Sequence, residues 1–285
     1  MRRLTFHQVD VFTERPLYGN PLAVYLDADD LEAELMQRIA REMNLSETTF
    51  VQRSNDSACA VRVRVFTPGI ELPFAGHPTV GTAFVLTRQR MIADSEFAFQ
   101  MNVGPVKIRR DETMFWIGPP APKSERTQEL SGLGAALGLS DGGCVGAHVI
   151  GNGVRFLSVV LASRENVDRA KPNRDLLGKV AHDLQDIDVL LFSYENGRAY
   201  SRMFPNPEYG IVEDPATGGS VAPLSLTLKL CNRLDSKTSA LTIEQGTKMG
   251  RQSFLHARFK QTDDGLSDIE VGGTAVHNFE SALNV

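Results

Sequence analysis

The residues of this chain best suited to chemistry lie in two stretches where a tight turn runs into an apolar helix, and in one segment with a lone carboxylate. The first stretch is Glu71-Leu72-Pro73-Phe74-Ala75-Gly76-His77-Pro78, continuing apolar to Leu86. The second is Glu213-Asp214-Pro215-Ala216-Thr217-Gly218-Gly219-Ser220, continuing apolar to Leu228. His77 reads as the N-cap region and Pro78 as the first helical residue, where the fixed φ of proline suits the helix. The unsatisfied N–H groups of such a first turn, with the positive end of the helix dipole behind them, form a site for a carboxylate. The lone carboxylate is Glu47, between a helix end and the β-prone run Thr48–Val51. Considered by itself, Glu47 reads as a solvated surface residue.

Two anion-binding helix starts suit proton transfer α to a carboxylate, because they stabilise the negative charge that develops when the proton leaves. Racemases of this kind often use a pair of cysteines. Here Ala75 and Thr217 precede the two helix-start glycines, and Cys59, Cys144 and Cys231 lie in neither stretch. A proton moved here is moved by something other than a thiol. The six histidines show no HxH or HExxH spacing, so a bound metal is not expected. Neither a GxxxxGK[ST] loop, nor GxGxxG after a strand, nor a GxSxG elbow is present.

The elements that must position these residues come in two similar sets. A shift of 142 positions lays Glu71 on Glu213, Pro73 on Pro215 and Gly76 on Gly218, close to half of the 285-residue length. The alternatives are two ordinary turns before two core helices, or a duplicated fold whose two helix starts face one cleft. Leu4–Phe12 alternates and slips phase near Gln8, as a bulged strand would. Leu31, Leu35, Ile39 and Met43 predict a helix from Asp30 to about Asn44. Alternation at Val61–Val65, Phe97–Met101, Val106–Ile108 and Phe115–Ile117 predicts half-buried antiparallel strands. Beyond the Pro-rich linker Gly118–Pro122, the pattern predicts a helix over 125–137 and strands at 145–150 and 155–161. A polar helix over 173–184 and strands at 188–193, 255–259 and 269–271 follow. The domains are then 1–120 and 121–274, with about 275–285 returning as a strand onto the first.

The whole has an apolar fraction of 42%, enough for a real core, and a net charge of −5 that offers nucleic acid no basic field. Three scattered cysteines fit a reduced cytoplasm better than a disulfide framework. The absence of an apolar run of membrane-spanning length leads us to expect a soluble cytoplasmic protein.

Gly19-Asn20-Pro21, Ala40-Arg41-Glu42-Met43-Asn44-Leu45-Ser46-Glu47-Thr48, Leu72-Pro73-Phe74-Ala75-Gly76-His77-Pro78 and Asp214-Pro215-Ala216-Thr217-Gly218 together resemble the PhzF family of phenazine-biosynthesis isomerases, in the same order over nearly the whole chain. The resemblance implies an α+β, diaminopimelate epimerase-like fold: two lobes, each a curved, mostly antiparallel sheet around a central helix, with the active site between them. It also implies a homodimer without cofactor or metal. The implied reaction is isomerisation of trans-2,3-dihydro-3-hydroxyanthranilate, in which a proton leaves C3 and one is delivered elsewhere on the ring to give a ketone. Glu47 matches the acid/base, and His77 and Asp214 match polar residues that contact the substrate and handle charge. Asn20, Gly76, Gly218, Gly219 and Ser220 fall at substrate-binding positions. One departure stands out: the family usually has serine where this chain has Gly219, with Ser220 one position on, about 100° away on a helix. An amino-acid racemase or epimerase, or a binding protein that has lost turnover, are the alternative readings.

Overall fold

The computed structural model describes residues 2–140 and 142–285, which form two compact units. The first comprises Met1–Gly118, Glu208–Ile211 and Gly272–Val285; the second comprises Pro119–Pro207 and Val212–Val271. Strands β1 (Arg3–Val11), β2 (Asn20–Tyr25), β3 (Glu47–Gln52), β4 (Val61–Phe66) and β5 (Glu71–Leu72) come first, with helix α1 (Ala33–Met43) between β2 and β3. Helix α2 (Gly76–Arg88) and strands β6 (Glu96–Met101), β7 (Gly104–Asp111) and β8 (Met114–Ile117) follow. The second unit begins with β9 (Lys123–Thr127), α3 (Leu133–Ala136), β10 (Cys144–Gly151), β11 (Arg155–Leu161), α4 (Arg164–Arg169) and α5 (Arg174–Val180). It continues through β12 (Asp188–Glu195), β13 (Arg198–Phe204), α6 (Val221–Leu230), β14 (Ala240–Gln245), β15 (Ser253–Thr262) and β16 (Gly265–Gly273), of which Gly265–Val271 belong to it. The last strand, β17 (Ala275–Asn284), pairs antiparallel with β1 inside the first unit.

The two units repeat one pairing order. In the first, β1–β2 is antiparallel, β2–β3 parallel, β3–β4 antiparallel, β4–β6 parallel and β6–β7 antiparallel. In the second, β10–β11, β11–β12, β12–β13, β13–β14 and β14–β15 run through the same sequence of senses. The sheets are therefore mixed, and these pairings among the described residues include two parallel ones in each unit that alternation of side chains could not reveal. Arg64 forks onto Glu71 at 2.8 and 2.7 Å, and Arg202 forks onto Glu213 at 2.8 and 2.7 Å. Each guanidinium also sits over a phenylalanine two residues on, Phe66 and Phe204. The 142-residue offset read from Glu71 and Glu213 is thus a structural duplication.

Each unit wraps its strands around one apolar helix. Ten of the thirteen residues of α2 are buried, as its all-round apolar character requires. It lies so close to the sheet that a Cβ on Gly81 would come within 2.6 Å of Leu22 and 2.7 Å of Val11. On β1 the apolar residues change face: Leu4 and Phe6 join the cluster under α1, while Val11 lies by α2. The register with β17 shifts between Gln8 and Val9, at the expected place, and Asn278 is the extra residue.

Several boundaries differ from expectation. The helix expected from Asp30 starts at Ala33, because the Leu31 N–H closes a turn onto the Ala28 carbonyl and Met36 makes the first bond back to Glu32. It ends on Asn44, a left-handed cap at φ 50°. The helix expected over 125–137 divides, since 123–127 pairs with β10 as a strand and only one helical turn remains at Leu133–Ala136. The helix expected over 173–184 stops at Val180 because Ala181 is extended, and a 3₁₀ turn takes up His182–Leu184.

Candidate active site

In the first unit three expected site residues come together. Gly19 takes a positive φ of 68° against the Val11 carbonyl, a place where a Cβ would meet that oxygen at 2.3 Å, and so delivers Asn20 to the start of β2. The loop before it is fastened by Asp10, which accepts from the Leu17 N–H at 2.7 Å and the Asn278 amide at 2.6 Å. Glu47 opens β3 beside Leu22 of β2 and is 8% exposed, so the surface reading of this carboxylate does not hold. Two residues on, the Thr49 hydroxyl lies 2.9 Å from that of Thr82 on α2. That bond fixes strand against helix, and hence Glu47 against His77.

Helix α2 begins at Gly76 after an extended Ala75, two residues earlier than expected. His77 is therefore inside the first turn and Pro78 is its third residue, where the missing N–H still costs nothing. Among these first positions, the backbone N–H groups of Gly76 and His77 have no partner within the helix. His77 is buried and its Nδ1 lies 3.1 Å from Nδ2 of Asn20. The Asn20 amide nitrogen beside Nδ1 fits a ring that accepts there and carries its proton on Nε2. Nε2 lies 3.5 Å from Glu47 Oε2. Burial pushes the imidazole down to about 3, so the contact joins a neutral ring to a carboxyl group and is not an ion pair. The Nε2–H and the carboxyl oxygen, 3.5 Å apart, present a donor beside a proton acceptor.

In the second unit, Asp214 bridges to Met203 of β13, its backbone N–H donating to the Met203 carbonyl at 3.0 Å. Thr217 donates its hydroxyl to Asp214 Oδ2. Buried Gln245, at the end of β14, donates from Nε2 to the Asp214 carbonyl at 2.8 Å and to Thr217 Oγ1 at 3.0 Å, while its Oε1 accepts from the Thr217 N–H at 3.4 Å. A 3₁₀ turn at Gly218–Ser220 leads into α6. The Ser220 hydroxyl donates to the Thr217 carbonyl at 2.8 Å and is buried. The Gly219 carbonyl accepts from Asn152 at 2.8 Å, and a Cβ on Gly219 would meet no atom within 4 Å. Gln245 escaped the reading of motifs, although it is the polar member of the apolar row Leu241, Ile243, Gln245 on β14, and a polar residue in such a row is the signal that would have found it.

Among the described residues, no group of three or more His, Cys, Asp or Glu is arranged to hold a metal ion, and no helix is long and apolar enough to cross a membrane. Cys59, Cys144 and Cys231 are free thiols, and burial is the main cause raising each of them.

Residues 9–281 match the family model described as PhzC-PhzF, phenazine biosynthesis-like protein. The trans-2,3-dihydro-3-hydroxyanthranilate isomerase of Pseudomonas aeruginosa is 38% identical over 271 residues, covering 93% of this chain and 94% of that protein. The crystal structure of a PhzF-family phenazine biosynthesis protein from Bacillus anthracis superposes with a TM-score of 0.85 at 24% identity, covering all of both chains. A hydroxyproline epimerase from Agrobacterium vitis shares the fold at a TM-score of 0.67 and 10% identity, over 99% of this chain and 92% of that one. By the extent of these matches the chain belongs to the PhzC-PhzF family, and it is an isomerase with an α+β fold of the PhzF and epimerase kind.

Proposed function

We propose that the chain isomerises trans-2,3-dihydro-3-hydroxyanthranilate, with Glu47 as the general acid/base that takes the proton from C3 and delivers one elsewhere on the ring. The observation that carries this reading is the buried pairing of Glu47 Oε2 with the Nε2 of a neutral His77 at 3.5 Å, at the head of an apolar helix. A neutral imidazole keeps its Nε2–H as a hydrogen-bond donor for charge that develops on the substrate, without itself giving up a full proton. The first-turn N–H groups of α2 suit a substrate carboxylate. Asp214, with the backbone N–H groups of Gly218 and Gly219, takes part in holding the substrate's polar groups. Gly219 leaves open the space that a serine side chain would occupy, so one hydroxyl contact is given up there. The proposal includes a homodimer in the cytoplasm working without cofactor. Sedimentation at micromolar concentration is expected to give twice the 31.3 kDa chain mass.

Replacing Glu47 by Gln keeps the shape and removes the base. Turnover of the dihydro-hydroxyanthranilate, followed by NMR in deuterated water, is expected to fall by roughly 10²- to 10⁴-fold, and near-wild-type turnover in Glu47→Gln rejects the assignment. Deuterium entering a chiral amino acid with loss of optical purity, and no reaction of the dihydro-hydroxyanthranilate, would instead identify a racemase.

A further inference from the structure

We infer that Gln245, acting through Thr217, is a positioning residue for the Asp214 carboxylate. This inference rests on the assignment of Asp214 to the reaction. The orientation of the Gln245 amide is fixed by partners with no choice of role: the Asp214 carbonyl can only accept and the Thr217 N–H can only donate. The nitrogen must therefore face Asp214 and Thr217, and its second hydrogen goes to Thr217 Oγ1. A hydroxyl that accepts from this amide turns its own proton away, and that proton is donated to Asp214 Oδ2. The three groups form a one-way chain of hydrogen bonds, Gln245 to Thr217 to Asp214. The carboxylate cannot rotate about its Cβ–Cγ bond without breaking the last link. The Ser201 hydroxyl lies 3.5 Å from Gln245 Oε1 and 3.4 Å from the Glu244 carbonyl, in the buried interior of the second unit.

The duplication shows that the fold does not require these polar groups. Arg62 of β4 pairs with Gln100 of β6, and Tyr200 of β13 pairs with Glu244 of β14. Because Arg64 corresponds to Arg202, the equivalent of Gln245 in the first unit is Met101 and the equivalent of Ser201 is Val63. Both are buried and apolar. Met101 and Val63 stand at the strand positions of the first unit that the paired Gln245 and Ser201 hold in the second. The polar pair occurs in the unit that carries Asp214, whose counterpart in the first unit is Leu72, since Val65 pairs with Leu72 where Met203 bridges to Asp214.

The natural test substitutes what the other unit already uses. Gln245→Met and the near-isosteric Thr217→Val are expected to lower kcat for the dihydro-hydroxyanthranilate by about 10- to 100-fold, the usual cost of losing a group that orients a reacting one, with KM little changed. Thr217→Ser, which restores the hydroxyl, is expected to recover most of the loss. Full kcat in Thr217→Val overturns the relay, as does failure of Thr217→Ser to rescue. Asp214→Asn separates the two levels: turnover lost there but kept in Thr217→Val rejects the relay alone, whereas turnover kept in Asp214→Asn rejects the role of Asp214 and the relay with it. A crystal structure of Thr217→Val, which needs no substrate, is expected to show the Asp214 carboxylate turned or split between orientations. An unchanged carboxylate overturns the inference.

Discussion

His77 and Asp188 show how burial can set opposite behaviours in titrating groups. For His77, desolvation disfavours the imidazolium and holds the ring neutral down to about pH 3. No histidine limb is then expected in the pH profile of kcat/KM between about pH 5 and 8, the range where an ordinary imidazole titrates. Nitrogen-15 NMR is expected to show Nε2 protonated and Nδ1 bare throughout that range, and a charged ring at pH 6 would contradict it. Asp188 opens β12 as Glu47 opens β3, and both are buried. Its carboxyl is pushed up to about 7, mainly by burial and further by the charge of Asp214, although the Asn206 N–H donates to it at 2.7 Å and Arg174 lies near. The folded chain therefore holds a proton that the unfolded chain loses near pH 4, so stability falls as pH rises from about 4 to 7 and is level above. Asp188→Asn keeps the acceptor for Asn206 and removes the charge. It is expected to match the wild type in urea denaturation near pH 4 and to exceed it above pH 7, by at most roughly 4 kcal/mol. Equal stabilities at pH 8 would show that the burial cost is met in some other way.

At the scale of elements, the decisive contact is that of α2 with the sheet. Gly81 brings the helix against Val11 and Leu22 with no room for a methyl group, and the Thr49–Thr82 hydroxyl bond sets the helix along β3. Gly81→Ala gains helix propensity but forces Leu22 and Val11 to give way. The overpacking is expected to dominate, lowering stability by about 1–3 kcal/mol, as read from the midpoint of urea unfolding. Since the displacement also moves His77 relative to Glu47, kcat is expected to fall even where the variant is fully folded. A variant as stable and active as the wild type would mean that the helix can shift without consequence for the site.

Across the whole molecule, the first unit is built from both ends of the chain. β17 pairs with β1 from Arg3 to Val11, and its bulged Asn278 supplies one of the hydrogen bonds to Asp10 that hold the loop before Asn20. Removing residues 275–285 leaves the outer edge of β1 unpaired and the Asp10 loop loose. The truncated chain is expected to lose protection of the first unit in limited proteolysis while the second unit, with its own buried cluster around Leu157, Val189 and Leu191, stays resistant. Equal resistance of both units would show that β17 is dispensable for the first.

Local pattern in the sequence was enough to determine the apolar helices, most of the strands, the bulge near Gln8 and the offset that relates Glu71 to Glu213, because each depends on periodicity or turn chemistry within a few residues. The ordered motifs were enough to determine the family and to single out Asn20, Glu47, His77 and Asp214. Only the tertiary structure decided which strands run parallel, that 123–127 is a strand, and that Glu47 is buried, since these depend on neighbours distant in the chain. It alone shows what acts on His77: an amide 57 residues away beside Nδ1, and burial, which lowers the imidazole. Gln245 makes the same point: its side chain reaches Asp214 and Thr217 across 31 and 28 residues, and only the fold brings a strand end to a turn so far away.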